Sequence, residues 1–101
     1  MKYRVVMSDD AQMDYEGYID YILNECHAPI AAAKHYAGIK DMLSDLSQNP
    51  YVNAIRYNPS LLKYGMNVRR ANYKKMSIIY TIHENFIYVH RVLAASMITE
   101  I

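Results

Sequence analysis

His83 and His90 are separated by a short segment that contains Glu84-Asn85. If that segment is a tight turn, the two imidazoles lie on adjacent antiparallel strands and can form a general acid/base couple. With no third ligand or ordered carboxylate in view, the pair fits an ordinary place at the surface or a core edge better. A second group is basic: Arg69, Arg70, Lys74 and Lys75 surround a predicted turn. They suit contacts with carboxylates of a partner, or a solvated turn that also blunts a sheet edge. Arg69 and Arg70 are adjacent, so in one strand they point to opposite faces and only one can join a given site. Arg91 lies in an apolar run, where an unpaired charge is costly. It calls for an ion pair with a helix acid or for a binding role.

The remaining polar clusters carry less chemistry. Cys26-His27 has no second pair of ligands elsewhere, so neither a zinc site nor any cofactor is expected. Asp9, Asp10, Asp14 and Glu16 fall in one short stretch, and favourable charge at a helix N-terminus accounts for them. Tyr15, Tyr18 and Tyr36 belong to apolar stripes, as core residues or as part of a groove that receives a partner helix.

The elements that must position these groups follow from periodicity. Tyr3 to Met7 reads as a short strand closed by Ser8-Asp9-Asp10, with Ser8 as a helix N-cap. Ala11, Tyr15, Tyr18, Ile19, Ile22, Leu23 and Cys26 recur at helical spacing, predicting a helix that ends near His27. Pro29 suits the first turn of a second helix, which Asn49-Pro50 stops. The short connection makes the two helices an antiparallel hairpin. Residues 50 to 64 read as an irregular loop with a helical turn near Ser60 to Lys63. After Gly65 the period changes to 2, and three strands are predicted: Met66 to Arg70, Met76 to His83, with Ile78, Tyr80 and Ile82 on one face, and Phe86 to Leu93. The tail from Ala94 to Ile101 fits no single element. The order is β-α-α-β-β-β, an α+β fold with a helical hairpin packed on one face of a small, mainly antiparallel sheet.

The chain has 101 residues, a length for a single domain spanning 1–101. An apolar fraction of 52% with three glycines and three prolines argues against disorder. There are eleven tyrosines, one phenylalanine and no tryptophan, which favours aromatic rings at core edges and binding surfaces. The one cysteine cannot form an intrachain disulfide and fits a reducing cytoplasm. The N-terminus has no long apolar core of a signal peptide, and no stretch approaches a membrane span, so no membrane partner is expected. A net charge of +1 does not announce a nucleic-acid binder, although charge can still be concentrated on one face.

Five segments in order resemble the RelE/ParE superfamily of toxins. Tyr3 to Ala11 resembles its first strand with "S-x-x-A" leading into helix one. Tyr18-Ile19-Asp20-Tyr21-Ile22 resembles its "I-x-x-Y-I" helix, and Leu43 to Pro50 its "L-x-x-x-P" helix exit. Arg69 to Tyr73 through Ile78 to Ile82 resembles "R-x-x-x-x-Y-x-I-x-Y-x-I", and Val89 to Leu93 its closing "V-x-R-V-L". The resemblance implies the toxin of a bacterial type II toxin–antitoxin module, as in plasmid stabilization systems, neutralised by a cognate antitoxin. It leaves a homodimer open. Two activities divide the superfamily: ParE-like members inhibit DNA gyrase, and RelE-like members are mRNA interferases acting at the ribosome. Metal-independent RNA cleavage needs a base, a cation for the phosphate and a proton donor. Laid on this chain, the candidates are Lys74, Arg69, Arg70 and His90. Asn67 and Gly65 stand at two basic positions of the RelE-like set. Ala95 falls near the position of its Arg after the last strand, and Ile101 near its terminal Tyr. The resemblance therefore favours a ParE-like gyrase inhibitor, with an endoribonuclease or a degenerate toxin retained as an interaction module as the alternatives.

Overall fold

The computed structural model describes residues 2–95 and Ile98. Strand β1, Arg4–Met7, leads into helix α1, Asp9–Asp20. Ser8 caps the helix as its position predicts: its Oγ accepts from the Ala11 amide at 2.9 Å, and Asp9 and Asp10 occupy the first turn. The helix continues as a π-type turn over Tyr21–Glu25, then yields to α2, Pro29–Gln48. Pro29 opens α2, where its missing N–H is no loss, and Asn49 closes it. Two 3₁₀ turns, Pro50–Val52 and Pro59–Tyr64, shape the following loop. Strands β2 (Arg69–Tyr73), β3 (Met76–Ile82) and β4 (Phe86–Ala94) complete the α+β fold.

The four strands form one sheet in the order β1-β4-β3-β2. The hairpins β2–β3 and β3–β4 are antiparallel, and β1 joins parallel to β4, from Arg4↔Phe86 to Met7↔Val89. Both helices cover one face. Beneath them Ala11, Leu46, Ala71, Ile78, Tyr80, Ile87, Val89 and Val92 form the main core. On the opposite face a smaller cluster of Leu61, Val68 and Ile79 forms where the Pro59–Tyr64 turn folds over the sheet. Among the described residues the second face is thus covered over only part of its area. Burial on both faces explains why β3 reads as a nearly continuous apolar run.

One strand lies where the alternation of Met66 and Val68 did not predict it. β2 begins at Arg69 and runs to Tyr73. Asn67 takes φ 60, a left-handed conformation that no extended strand contains. The two-residue turn Lys74-Lys75 then sets the register, pairing Tyr73 with Met76 and Arg69 with Tyr80. β4 carries a second irregularity. Ile79 pairs with Arg91 and Tyr80 with Val89, so His90 is the extra residue of a β-bulge. The bulge shifts the strand's parity. Ile87 and Val89 face the helices at a spacing of two, and Val92 rejoins them after a step of three.

Helix glycines differ in what surrounds them. A Cβ at Gly38 would fall 1.9 Å from the Tyr73 hydroxyl, because that ring lies directly against α2. A Cβ at Gly17 meets nothing within 4 Å. Gly17→Ala is expected to stabilise the protein by about 0.5–1 kcal/mol through helix propensity. Gly38→Ala is expected to destabilise it by about 1–2 kcal/mol as Tyr73 is forced aside. Urea unfolding midpoints of the two variants, moving in opposite directions, check both.

Candidate functional site

The groups singled out in the sequence fall into three separate places. The first is a groove of about 700 Å³ between the two helices and the edge strand β1. Tyr15 and Tyr36 form its aromatic floor, with ring centroids 5.7 Å apart and planes at 27°. The Tyr15 hydroxyl donates to the Tyr36 carbonyl at 3.3 Å. Burial, and secondarily the Tyr36 phenol, pushes the Tyr15 pKa up to about 12. Tyr36 remains 46% exposed, with the Lys40 ammonium 5.3 Å above its ring. Tyr3, Val5 and Leu43 extend the apolar lining, and Lys2, Arg4 and Lys40 stand among its polar residues against Glu16. A smaller hollow formed by Ile19, Leu23, Tyr15 and Tyr36 continues it along the helices. Among the described residues β1 ends the sheet, so this groove runs beside an edge strand. Of the groove residues only Tyr15 and Tyr36 were recognisable in the sequence. Tyr3 and Val5 join them through the parallel placement of β1, which no local pattern announces, and Lys40 stands one helical turn after Tyr36 on α2.

Tyr18 does not share this groove. It meets His35 edge-on at 5.3 Å and lines a hollow of about 460 Å³ with Lys74, Lys75 and Met76. Lys74 holds φ 53 at the hairpin tip, a conformation that favours Gly or Asn.

The second place is the junction of α1 with β4. Arg91 forms a bidentate pair with Asp14, Nε to Oδ2 at 2.7 Å and Nη2 to Oδ1 at 2.8 Å. Asp14 also accepts the Val92 amide at 3.1 Å. Ser8 works beside it, donating its hydroxyl to the His90 carbonyl at 2.7 Å and its amide to the Val89 carbonyl at 2.9 Å. Together these contacts let α1 satisfy the edge of β4 beyond Met7, where β1 stops. Hydrogen bonding to Asp14 raises the Arg91 pKa further above its ordinary value. This is the ion pair with a helix acid that the apolar strand called for.

The third place is the sheet face opposite the helices. The Thr81 hydroxyl lies 2.9 Å from Nε2 of His83 and 2.9 Å from Nε2 of His90. One hydroxyl proton serves two imidazoles, so with both rings neutral Thr81 donates to one and accepts from the other. His83 stacks on Phe86 at 4.7 Å, and His90 is flanked by Tyr88 at 4.7 Å and Tyr64 at 5.6 Å. Thr81 was not singled out in the sequence, although its spacing of two from His83 places both on one face.

The basic residues do not converge on these histidines. Arg69 donates to the Asn53 carbonyl and lies 5.1 Å from the Tyr51 ring. Arg70, on the opposite face of β2, donates through Nε to Asn72 and Ser77, each at 2.9 Å. Lys74 sits at the β2–β3 turn, whereas Thr81 and His90 lie near the other end of β3. From Met76 to Thr81 that is roughly 17 Å of strand. Of the four candidates for one nuclease centre, Lys74 and Arg69 thus lie apart from His90, whereas Arg70 shares its sheet face two strands away. Ala95 follows β4 directly. Ile101 and the tail positions Ser96 and Met97 lie outside the described residues. Among the described residues no three His, Cys, Asp or Glu side chains form a metal-holding cluster, and no helix is long and apolar enough to cross a membrane.

Burial lowers the pKa of His90, with His83 adding to the effect, and burial beside Lys74 lowers that of His35. Both folded values lie below the ordinary 6.5. As pH falls, the unfolded chain takes up these protons first, so the native state loses ground. Stability is thus expected to be full above about pH 6.5 and to decline as pH drops through the lowered folded values. Urea midpoints at about pH 7.5 and about pH 5 check this, and His90→Gln is expected to shrink the difference.

Over residues 5–99 the chain is similar to the family of the ParE toxin of type II toxin–antitoxin systems, parDE. Its fold matches a chain of the chromosomal ParDE TA system from P. aeruginosa with a TM-score of 0.70. The match covers 92% of this chain and 96% of that one at 18% sequence identity, a likeness of fold. No curated protein matches the sequence.

Proposed function

The chain belongs to the ParE toxin family of type II toxin–antitoxin systems, and from that premise we propose that it arrests growth by binding and inhibiting DNA gyrase until a cognate antitoxin neutralises it. Family membership over residues 5–99 carries the reading. Two features support a binding toxin over a nuclease. Lys74, at the β2–β3 turn, and Arg69, on the helix side of β2, lie apart from His90, which leaves Arg70 alone of the other three on its sheet face. The groove beside β1, in contrast, has the dimensions and lining of a peptide site: a stacked tyrosine floor, aliphatic walls and cations at the rim.

In this reading the groove receives an amphipathic antitoxin segment, whose apolar side chains cover Tyr15 and Tyr36 and whose acids meet Lys2, Arg4 and Lys40. The protein acts in the cytoplasm, where its target and its antitoxin reside. Expression of the chain alone in a bacterial host is expected to arrest growth with a DNA-damage response and intact mRNA. Purified chain is expected to inhibit supercoiling by gyrase, with antitoxin reversing the inhibition. Codon-phased mRNA cleavage with unaffected gyrase would instead make it an endoribonuclease.

A further inference from the structure

The net charge of +1 conceals a strong separation of charge. Residues 9–48, which form the helical layer, carry eight acidic and two basic side chains. The described residues outside that stretch, which form the sheet and its covering loop, carry nine basic side chains and one acidic one, Glu84. One of the nine, Arg91, is neutralised by Asp14. The others give the sheet layer a positive field of its own.

The sheet face that the helices leave free combines this field with rings. β1 and β4 pair in register, so Arg4 lies beside Phe86 and Val6 beside Tyr88. Tyr88 in turn lies beside Thr81 of β3. The Arg4 guanidinium is 5.9 Å from the Phe86 ring. Tyr88 packs edge-on against His90, and Tyr64 approaches His90 from the Pro59–Tyr64 turn, with the Lys63 ammonium 5.3 Å from the Tyr64 ring. Phe86, Tyr88, His90 and Tyr64 are all half-buried, and Arg4 and Lys63 are exposed. Alternation along β4 puts Phe86, Tyr88 and His90 on this face, and the bulge at His90 ends the row there. The covering cluster of Leu61, Val68 and Ile79 meets the row at Tyr64, which packs against it.

A row of partly open rings with cations at its two ends matches the chemistry of an unpaired nucleic-acid strand. Bases stack on the rings and phosphates meet the cations. We propose that this half of the sheet face, centred on Tyr88 and bounded by Arg4 and Lys63, binds single-stranded nucleic acid. The contacts are stacking and charge. DNA and RNA strands are therefore bound alike, and a duplex, whose bases are already stacked, is bound less. Arg4, on the edge strand, is shared with the groove beside β1, whereas Phe86, Tyr88, His90, Tyr64 and Lys63 do not line that groove, and the proposal does not depend on which enzyme the toxin inhibits.

Fluorescence anisotropy with a labelled oligothymidylate tests the proposal on the full chain with no other protein present. Binding is expected at low salt and is expected to weaken with a log–log slope of roughly −0.7 per phosphate contacted. An oligouridylate is expected to bind with similar affinity, and the oligothymidylate annealed to its complement more weakly. Tyr88→Ala is expected to lose about tenfold in affinity, with Tyr88→Phe restoring it. Arg4→Glu, at an exposed position, is expected to lose several-fold without altering the fold. No binding at low salt would overturn the proposal. So would equal affinity for the duplex, or unchanged affinity in both Tyr88→Ala and Arg4→Glu.

Discussion

Tyr80→Ala is expected to remove about 4 kcal/mol of stability, near the upper end for a buried aromatic truncation. That is a large share of the 5–15 kcal/mol typical of a small domain. Tyr80 is 0% exposed at the centre of β3 and touches the core on the helix side. Its hydroxyl donates to the Pro50 carbonyl at 2.8 Å and accepts from the Asn53 amide at 3.2 Å. Truncation therefore does two things. It opens a cavity under α2, and it strands polar groups of the loop that follows α2. Tyr80→Phe separates them: it keeps the ring and removes the hydroxyl, with an expected loss of about 1–2 kcal/mol. If Tyr80→Phe proves as damaging as Tyr80→Ala in urea titrations, the hydroxyl's tie to the loop is the dominant contribution and the packing account is wrong.

The same residue shows how much of the fold the sequence disclosed. Ile78, Tyr80 and Ile82 alternate, and that alternation alone places Tyr80 on the face toward the helices, where it lies. Ser8, Pro29 and Asn49-Pro50 mark helix ends through local chemistry, and each stands at the end it marks. What could not be read is set by contacts between distant segments. The pairing of β1 with β4 joins residues more than eighty apart and has no local signature. The start of β2 depends on a left-handed Asn67 and on the turn at Lys74, not on the apolar alternation that precedes it. The bulge at His90 breaks the parity of β4, so a strict period of two assigns the wrong face to the residues beyond it. The candidate sites divide in the same way. Arg91 announced that it needed an acid, but only the packing of α1 on β4 identifies Asp14. His83 and His90 are a visible pair, yet the hydroxyl that joins them belongs to a residue chosen by register.

Tyr36→Glu is expected to abolish neutralisation while leaving the toxin folded and active. Tyr36 projects from α2 into the groove with nearly half its surface open to solvent. Among the described residues its ring stacks on Tyr15 and lies beneath the Lys40 ammonium. An exposed helix position of this kind accepts substitution with a change of about 0.5 kcal/mol or less, because no cavity forms and no polar group is orphaned. Binding responds differently. An antitoxin segment seated on Tyr36 must desolvate whatever stands there, and a carboxylate in that place repels the acids that would approach Lys2, Arg4 and Lys40. A loss of about 3 kcal/mol, or roughly a hundredfold in Kd, is the scale set by a central aromatic anchor. Calorimetric titration of purified antitoxin into the variant gives the affinity. Co-expression then gives the consequence: antitoxin that rescues growth against the wild-type chain is expected to fail against Tyr36→Glu, while gyrase inhibition by the variant stays at the wild-type level. Wild-type affinity in the variant would place the antitoxin elsewhere on the molecule. Loss of gyrase inhibition along with antitoxin binding would mean that one groove serves both partners, and that the antitoxin acts by occupying the target's own site.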